Sequence, residues 1–317
     1  MSYLAELSNL YQTFLTENPF TGNPVTLYEP MQYMMSLGGK RVRPLLVLCG
    51  ARCAGGNADT LLPVAHAMEV FHNFTLVHDD IMDNATVRRG MPVVHKRWDP
   101  ATAILAGDNM LIAAVESLSN YNGPGSSAIM QRFLHTAREI CEGQQLDMDF
   151  SRSQDVTEAE YLNMIRLKTA VLLGCSLQCG AMGAGTDLAA SSLYYDFAVS
   201  LGMAFQLMDD YLDTFGDPAQ TGKKAGGDIA EGKKTWLYIK AREHGDAIQT
   251  CYELEEEKER IANATALFRA LQLDTALLAR AAEFEATAEK DLQQLEKLGH
   301  QIQPLRELQQ MLSQRSN

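Results

Sequence analysis

Two short stretches concentrate acid at a spacing suited to metal. DDIMD covers residues 79–83 and DDYLD covers 209–213. Residues four apart share one face of a helix, so Asp79 pairs with Asp83 and Asp209 with Asp213. Asp80 and Asp210 each follow the first member. Like charges at this spacing destabilise a bare helix by about 0.2–0.5 kcal/mol. A helix C-terminus adds its own partial negative charge. Such clustering makes physical sense where cations arrive. Carboxylates without histidine or cysteine select hard ions, Mg²⁺ first, with Mn²⁺ as a substitute. Mg²⁺ commonly takes one or two carboxylates and fills its octahedron with phosphate oxygens. Two runs on facing helices would bracket metals around a diphosphate and stabilise its departure. A calcium loop of the EF-hand kind is excluded, because its turn glycine and closing glutamate are missing. A di-iron site fails too: EVFH, 69–72, offers one ExxH element without a second.

A diphosphate also needs positive charge. Lys40, Arg41 and Arg43 follow a double glycine, and Arg88 and Arg89 follow the first run. Lys168 and Thr169 sit within an apolar stretch, where a random surface lysine is unexpected. Lys223, Lys224, Lys233 and Lys234 flank a glycine-rich segment after the second run. Arginine suits bidentate phosphate contacts, and lysine acts as a movable point charge.

The elements that must position these groups read as helices. Leu4, Leu7, Leu10, Tyr11 and Leu15 recur at helical spacing. Further helices are expected from Pro44 to about Ala54, over 61–83 with Asp59 or Thr60 as N-cap, over 101–119, and over 126–150. Thr157 with Glu160 forms a capping box for the helix carrying IRLKTAVLLGCSLQ. Another helix runs from about Leu188 through the second run, and the pattern is again helical from Trp236. No strand alternation and no repeat is found, so the expected fold is all-α, a single domain over 1–317 larger than a four-helix bundle.

Bulk composition agrees. Over 317 residues the apolar fraction is 46%, enough to fill a core. The net charge of -13 argues against a nucleic-acid partner. None of the six cysteines forms a CxxC pair, and buried reduced thiols are the expectation. The start lacks the pattern of a signal peptide, and no run of ~18 consecutive apolar residues suggests an integral membrane segment. The expected location is cytoplasmic.

In order along the chain, GGKRVRP, FHNFTLVHDD, DDIMD with RRG, GQQLD, KT, FQLMDD with DDYLD, and the GKK…GGD…GKKT segment resemble the trans-isoprenyl diphosphate synthases. The resemblance covers about Gly38 to Thr235. It implies a bundle of long helices around a central cavity, usually a homodimer. It implies that Asp79, Asp83, Asp209 and Asp213 bind Mg²⁺ on an allylic diphosphate. Arg88, Lys168, Thr169, Gln206, Lys223 and Lys233 would contact that diphosphate. Lys233 is preferred over Lys234 because the family's lysine directly follows the glycine. Lys40, Arg43, His72 and Arg89 would hold isopentenyl diphosphate. The catalytic set is Asp79, Asp83, Arg88, Lys168, Asp209 and Asp213.

Product length would be measured along the helix upstream of Asp79. Thr75, Phe74 and Phe71 precede it by four, five and eight residues. At the helical rise, Phe74 lies roughly 7 Å and Phe71 roughly 12 Å below the metals. In the family a bulky aromatic at the fifth position upstream accompanies short products. The short spacer in DDIMD resembles the archaeal-type and long-chain branches. Geranylgeranyl diphosphate is therefore favoured, with farnesyl diphosphate next. A class I terpene cyclase is disfavoured, because its second motif mixes Asn, Ser or Thr with Glu. A non-catalytic subunit is disfavoured because both runs are intact.

Overall fold

A computed structural model describes residues 2–153, 155–217 and 225–313. The elements are helices α1 (Tyr3–Glu17), α2 (Val25–Ser36), α3 (Val42–Cys53), α4 (Leu62–Met82), α5 (Val94–Arg97), α6 (Pro100–Ser119), α7 (Ser126–Arg152), α8 (Glu158–Ile165), α9 (Val171–Gly183) and α10 (Leu188–Phe215). They continue with α11 (Gly227–Ala230), α12 (Trp236–Arg242), α13 (Ala247–Tyr252), α14 (Glu257–Ala270), α15 (Leu273–Lys297) and α16 (Gln303–Ser313). The all-α expectation holds, and the long helices begin where polar caps and prolines allow. Asp99 accepts from the Thr102 backbone N–H at the head of α6, with Pro100 in the first turn. Thr157 and Glu160 form the expected reciprocal box before α8.

Three local features differ from the sequence expectation. Neither Asp59 nor Thr60 caps α4. Asn57 instead accepts from Asp59 N–H and opens a 3₁₀ turn, Ala58–Leu61, that leads into it. The helical run through Lys168 is not uniform: Arg166–Ala170 is a π turn between α8 and α9. A small antiparallel ladder also exists, pairing Val87 with Pro92 and Arg88 with Met91. Its two-residue loop is Arg89–Gly90, at φ 54° and 77°. Tight hairpins favour positive φ at both loop positions, because that twist matches the flanking strands.

The chain divides into two compact units: residues 1–134, 175–195 and 295–307, and residues 135–174, 196–294 and 308–317. In the first, α4 is the central helix, with Ala67, Met68, Val70 and Phe71 fully buried. Cys175 and Cys179 lie in its core with sulfurs 3.8 Å apart. Cys49 and Cys53 are buried as well, whereas Cys141 is exposed, an exception to the buried-thiol expectation. The second unit is built around Tyr161, Ile165, Leu207, Trp236, Leu237 and Phe268. Helix α6 is long and apolar enough to cross a membrane by length and composition, with mean hydropathy 1.3. It carries Asp108 and Glu116, and Ile104, Leu105 and Ile112 are exposed on it.

Candidate active site

The first aspartate run closes α4. Its last turn holds Asp79 and Asp80, and Asp83 is the C-cap, its N–H bonding the Asp79 carbonyl at 2.8 Å. The three acids divide into two kinds. Asp80 is buried, and Arg88 reaches back from the hairpin to grip it through Nε and Nη2 at 2.8–3.0 Å. Asp79 is half-buried and Asp83 is exposed. Arg88 thus has a structural partner, and its Nη1 is the nitrogen left for a ligand among the described contacts.

The same unit gathers cations from two separate segments, 40–43 and 88–89. Arg89, at the hairpin tip, donates to the Gly38 carbonyl. Gly39 has φ 123°, and a Cβ there would lie 2.9 Å from the Arg89 guanidinium carbon. The positive φ favours glycine at this position. Arg41, in left-handed conformation at the head of α3, donates to Glu69 at 2.5 Å and to the Met35 carbonyl. Asn73 supports Glu69 from the next turn of α4 at 3.0 Å. Arg41 therefore anchors the junction between Lys40 and the first turn of α3, which carries Arg43.

The electrostatics report crowding of positive charge. Burial lowers the Arg43 guanidinium to about 10; Glu69 opposes this and Arg89 adds to it. Burial and then Arg41 lower Arg89. Burial, followed by Arg43, Arg89, Arg88 and Arg41, holds His72 well below its usual value. His72 is therefore a neutral hydrogen-bonding group amid arginines, an arrangement that suits a polyanion.

Upstream on α4, Phe71 is buried against Phe74 and Phe133, with ring centroids 5.4 and 5.0 Å apart. Phe74 is half-buried and meets the His78 ring edge-on at 4.8 Å. The Thr75 hydroxyl is turned to the His72 carbonyl. Phe71 is thus a core aromatic, and Phe74 is the more available of the pair.

The second unit repeats the construction of the first run. On α10, Asp210 is buried, and the Tyr161 hydroxyl donates to it. Gln206 adds a contact at 3.4 Å and accepts from the Thr169 hydroxyl at 3.4 Å. Asp209 and Asp213 are half-buried. Asp213 accepts from the Asp228 backbone N–H at 3.0 Å, tying the GGD segment to the run. Burial, then Asp228, pushes the Asp210 carboxyl well up, and Asp209 adds to it. Asp228 is raised by burial, against the pull of Lys233.

Tyr161, Gln206, Asp210 and Asp228 line a cavity of about 150 Å³. Lys168 and Thr169 enter it from the π turn, Gln206 and Asp210 from α10, and Lys233 from the segment before α12. Lys168 is held by Asp147 of α7 at 2.5 Å. Lys233 pairs with Asp228 at 3.3 Å and Glu231 at 2.8 Å. Burial pulls its pKa down, but these acids outweigh it and the net shift is up. Lys234 instead donates to the Phe150 and Ser153 carbonyls at the end of α7. Both lysines line the cavity, but Lys233 pairs with acids there while the Lys234 ammonium is tied to the end of α7. Lys223 and Lys224 lie outside the described residues. Sequence reasoning did not single out Asp147, Tyr161 or Asp228 as site residues. The first and last lie within the GQQLD and GGD motifs, but Tyr161 carries no sequence signal beyond helical spacing.

Among the described residues, no three His, Cys, Asp or Glu side chains form a ready-made metal cage. The donor set nevertheless fits Mg²⁺. It offers only oxygen, and each run places two further carboxylates at helical spacing around its bonded middle acid. Burial first, and repulsion from neighbouring acids second, raise Asp210 and Asp228, and a nearby cation would relieve the second of these.

The polyprenyl synthetase family model matches residues 24–271. The chain belongs to this family. It is 42% identical over 224 residues to the geranylgeranyl diphosphate synthase of Methanosarcina mazei, covering 70% of this chain and 69% of the relative. It is 38% identical over 263 residues to the short chain isoprenyl diphosphate synthase of Methanothermobacter thermautotrophicus, covering 82% and 78%. A crystal structure of a geranylgeranyl pyrophosphate synthase matches with a TM-score of 0.93 and 42% identity, over 100% of this chain and 99% of that one. In this polyprenyl synthetase the family match takes in both aspartate runs, the arginine cluster and the cavity.

Proposed function

We propose that this single synthase domain, residues 1–317, condenses isopentenyl diphosphate head-to-tail with an allylic diphosphate and releases diphosphate. The product is a short-chain all-trans prenyl diphosphate. Geranylgeranyl diphosphate is favoured and farnesyl diphosphate is next. The observation that carries the reading is the shared build of the two runs: a buried, bonded middle acid with an acid on either side of it at helical spacing. The geranylgeranyl names of the two similar proteins above support the product.

Asp79 and Asp83, with Asp209 and Asp213, would hold Mg²⁺, or Mn²⁺ in its place. When bound, the metal supplies electrostatic stabilisation of the departing diphosphate. Arg88 through Nη1, Lys168, Thr169, Gln206, Lys223 and Lys233 bind and orient the allylic diphosphate. Lys40, Arg43 and Arg89 hold isopentenyl diphosphate, and neutral His72 adds a hydrogen bond without repelling its arginine neighbours. The released diphosphate takes the proton lost from isopentenyl diphosphate, consistent with the absence of a dedicated base in these motifs. Phe74 limits the growing chain; Phe71 and Thr75 support the wall around it.

The enzyme acts as a cytoplasmic homodimer in this reading. The exposed apolar side chains of α6, Ile104, Leu105 and Ile112, supply a strip for a second copy. Incubation with dimethylallyl or geranyl diphosphate and labelled isopentenyl diphosphate, followed by chromatography, tests the activity. A terpene cyclase would consume the allylic substrate without incorporating label. A non-catalytic subunit would give no product.

A further inference from the structure

The helical run that carries Lys168 and Thr169 is widened into a π turn at Arg166–Ala170, and glycines from two other helices press on that turn. π turns are rare and persist where their surroundings favour them. On α7, a Cβ at Gly143 would overlap the Lys168 backbone nitrogen and lie 2.8 Å from the Leu167 carbonyl carbon. Both obstacles are backbone, so no change of rotamer relieves them. On α10, a Cβ at Gly202 would lie 3.0 Å from Ala170 Cα and Cβ and from Leu173 Cδ1. A mid-helix glycine costs about 1 kcal/mol relative to alanine. These two therefore need a reason beyond helix propensity, and close approach to the π turn provides one.

The face of α7 that makes room also supplies an anchor. Asp147 stands one turn beyond Gly143, and its carboxylate holds the Lys168 ammonium. The backbone of the turn and the tip of its lysine are thus fixed from one side of one helix. We propose that Gly143 and Gly202 are positioning residues: by admitting α7 and α10 against the π turn, they keep Lys168 and Thr169 directed into the cavity to meet the allylic diphosphate. This rests on the reading above that Lys168 and Thr169 contact that substrate.

The test compares full-length Gly143→Ala, Gly202→Ala and Lys168→Ala with wild type. Steady-state kinetics would give kcat and a separate KM for the allylic and the isopentenyl diphosphate. Amide hydrogen exchange over 166–170 would read the turn directly. An ångström of misplacement can cost up to ~10²-fold. Both glycine variants should raise the allylic KM, by about tenfold or more for Gly143→Ala and less for Gly202→Ala. The isopentenyl KM should move less than about threefold, and exchange at the turn should quicken. Equal increases in both KM values, or unaltered exchange with an unaltered allylic KM, would overturn the inference while Lys168→Ala still raises the allylic KM. An unchanged allylic KM in Lys168→Ala would instead defeat the reading of Lys168, and the inference with it. If Gly143→Ala does not fold, Gly202→Ala decides, because its neighbours need yield only a few tenths of an ångström.

Discussion

Arg88 and Asp80 are joined by a guanidinium–carboxylate pair whose acid is only 2% exposed and whose arginine is 29% exposed. Within DDIMD, this pair separates a structural acid from its neighbours. Asp80→Asn should lower stability by about 2 kcal/mol, less than the ~3–5 kcal/mol of a fully buried pair because Arg88 is partly solvated. Urea unfolding measures it. Asp79→Asn should leave the unfolding midpoint close to wild type. Equal losses in the two variants would contradict the division.

Turnover should respond differently from stability. Asp79→Ala and Asp209→Ala should each lower kcat by orders of magnitude at saturating Mg²⁺ while the far-ultraviolet circular dichroism stays native. Near-normal turnover in either would remove that residue from the metal set.

The two phenylalanines of α4 should separate as well. Phe74→Ala should lengthen the product, read by chromatography of labelled chains. Phe71→Ala removes a ring packed on Phe74 and Phe133, and should cost about 3–5 kcal/mol of stability. An unchanged product in Phe74→Ala would leave that residue as a core aromatic alone.

Two histidines with lowered pKa, buried His66 and half-buried His72, should make the protein acid-sensitive. Burial, then Arg41, lowers His66 to about 4, and His72 is held well below 6.5 by burial and its arginine neighbours. Below about pH 6.5 the unfolded chain takes up protons at these positions and the folded chain does not. Stability therefore falls as pH drops from 6.5 towards 4. His66→Gln and His72→Gln should each flatten denaturant midpoints plotted over that window. An unaltered slope would mean that the histidine is solvated in the native state.

Much of the fold is legible in the sequence because its cues are local. The Thr157–Glu160 box and the helix through DDYLD lie where short-range chemistry places them. The acid runs are legible because i, i+4 spacing alone predicts a shared face. The π turn at Lys168 is not, since a five-residue widening leaves the apolar period around it nearly unchanged. The hairpin at 87–92 is too short to show alternation. Tyr161 escaped notice because its role depends on Asp210, distant in sequence. The parting of Lys233 from Lys234 depends on where α7 ends, which the two lysines themselves do not reveal.

The hairpin at Arg89–Gly90 places a limit on how this protein can be altered. Because strand side chains alternate from face to face, one residue inserted between Val87 and Arg88 would turn Arg88 to the opposite face and displace the tip that follows it. Arg88 would leave Asp80 and Arg89 would leave the Gly38 carbonyl at the same stroke. Many surface loops accept added residues freely. This one works as a length gauge, and a peptide tag or a loop graft placed in it would disable two arginines without replacing either.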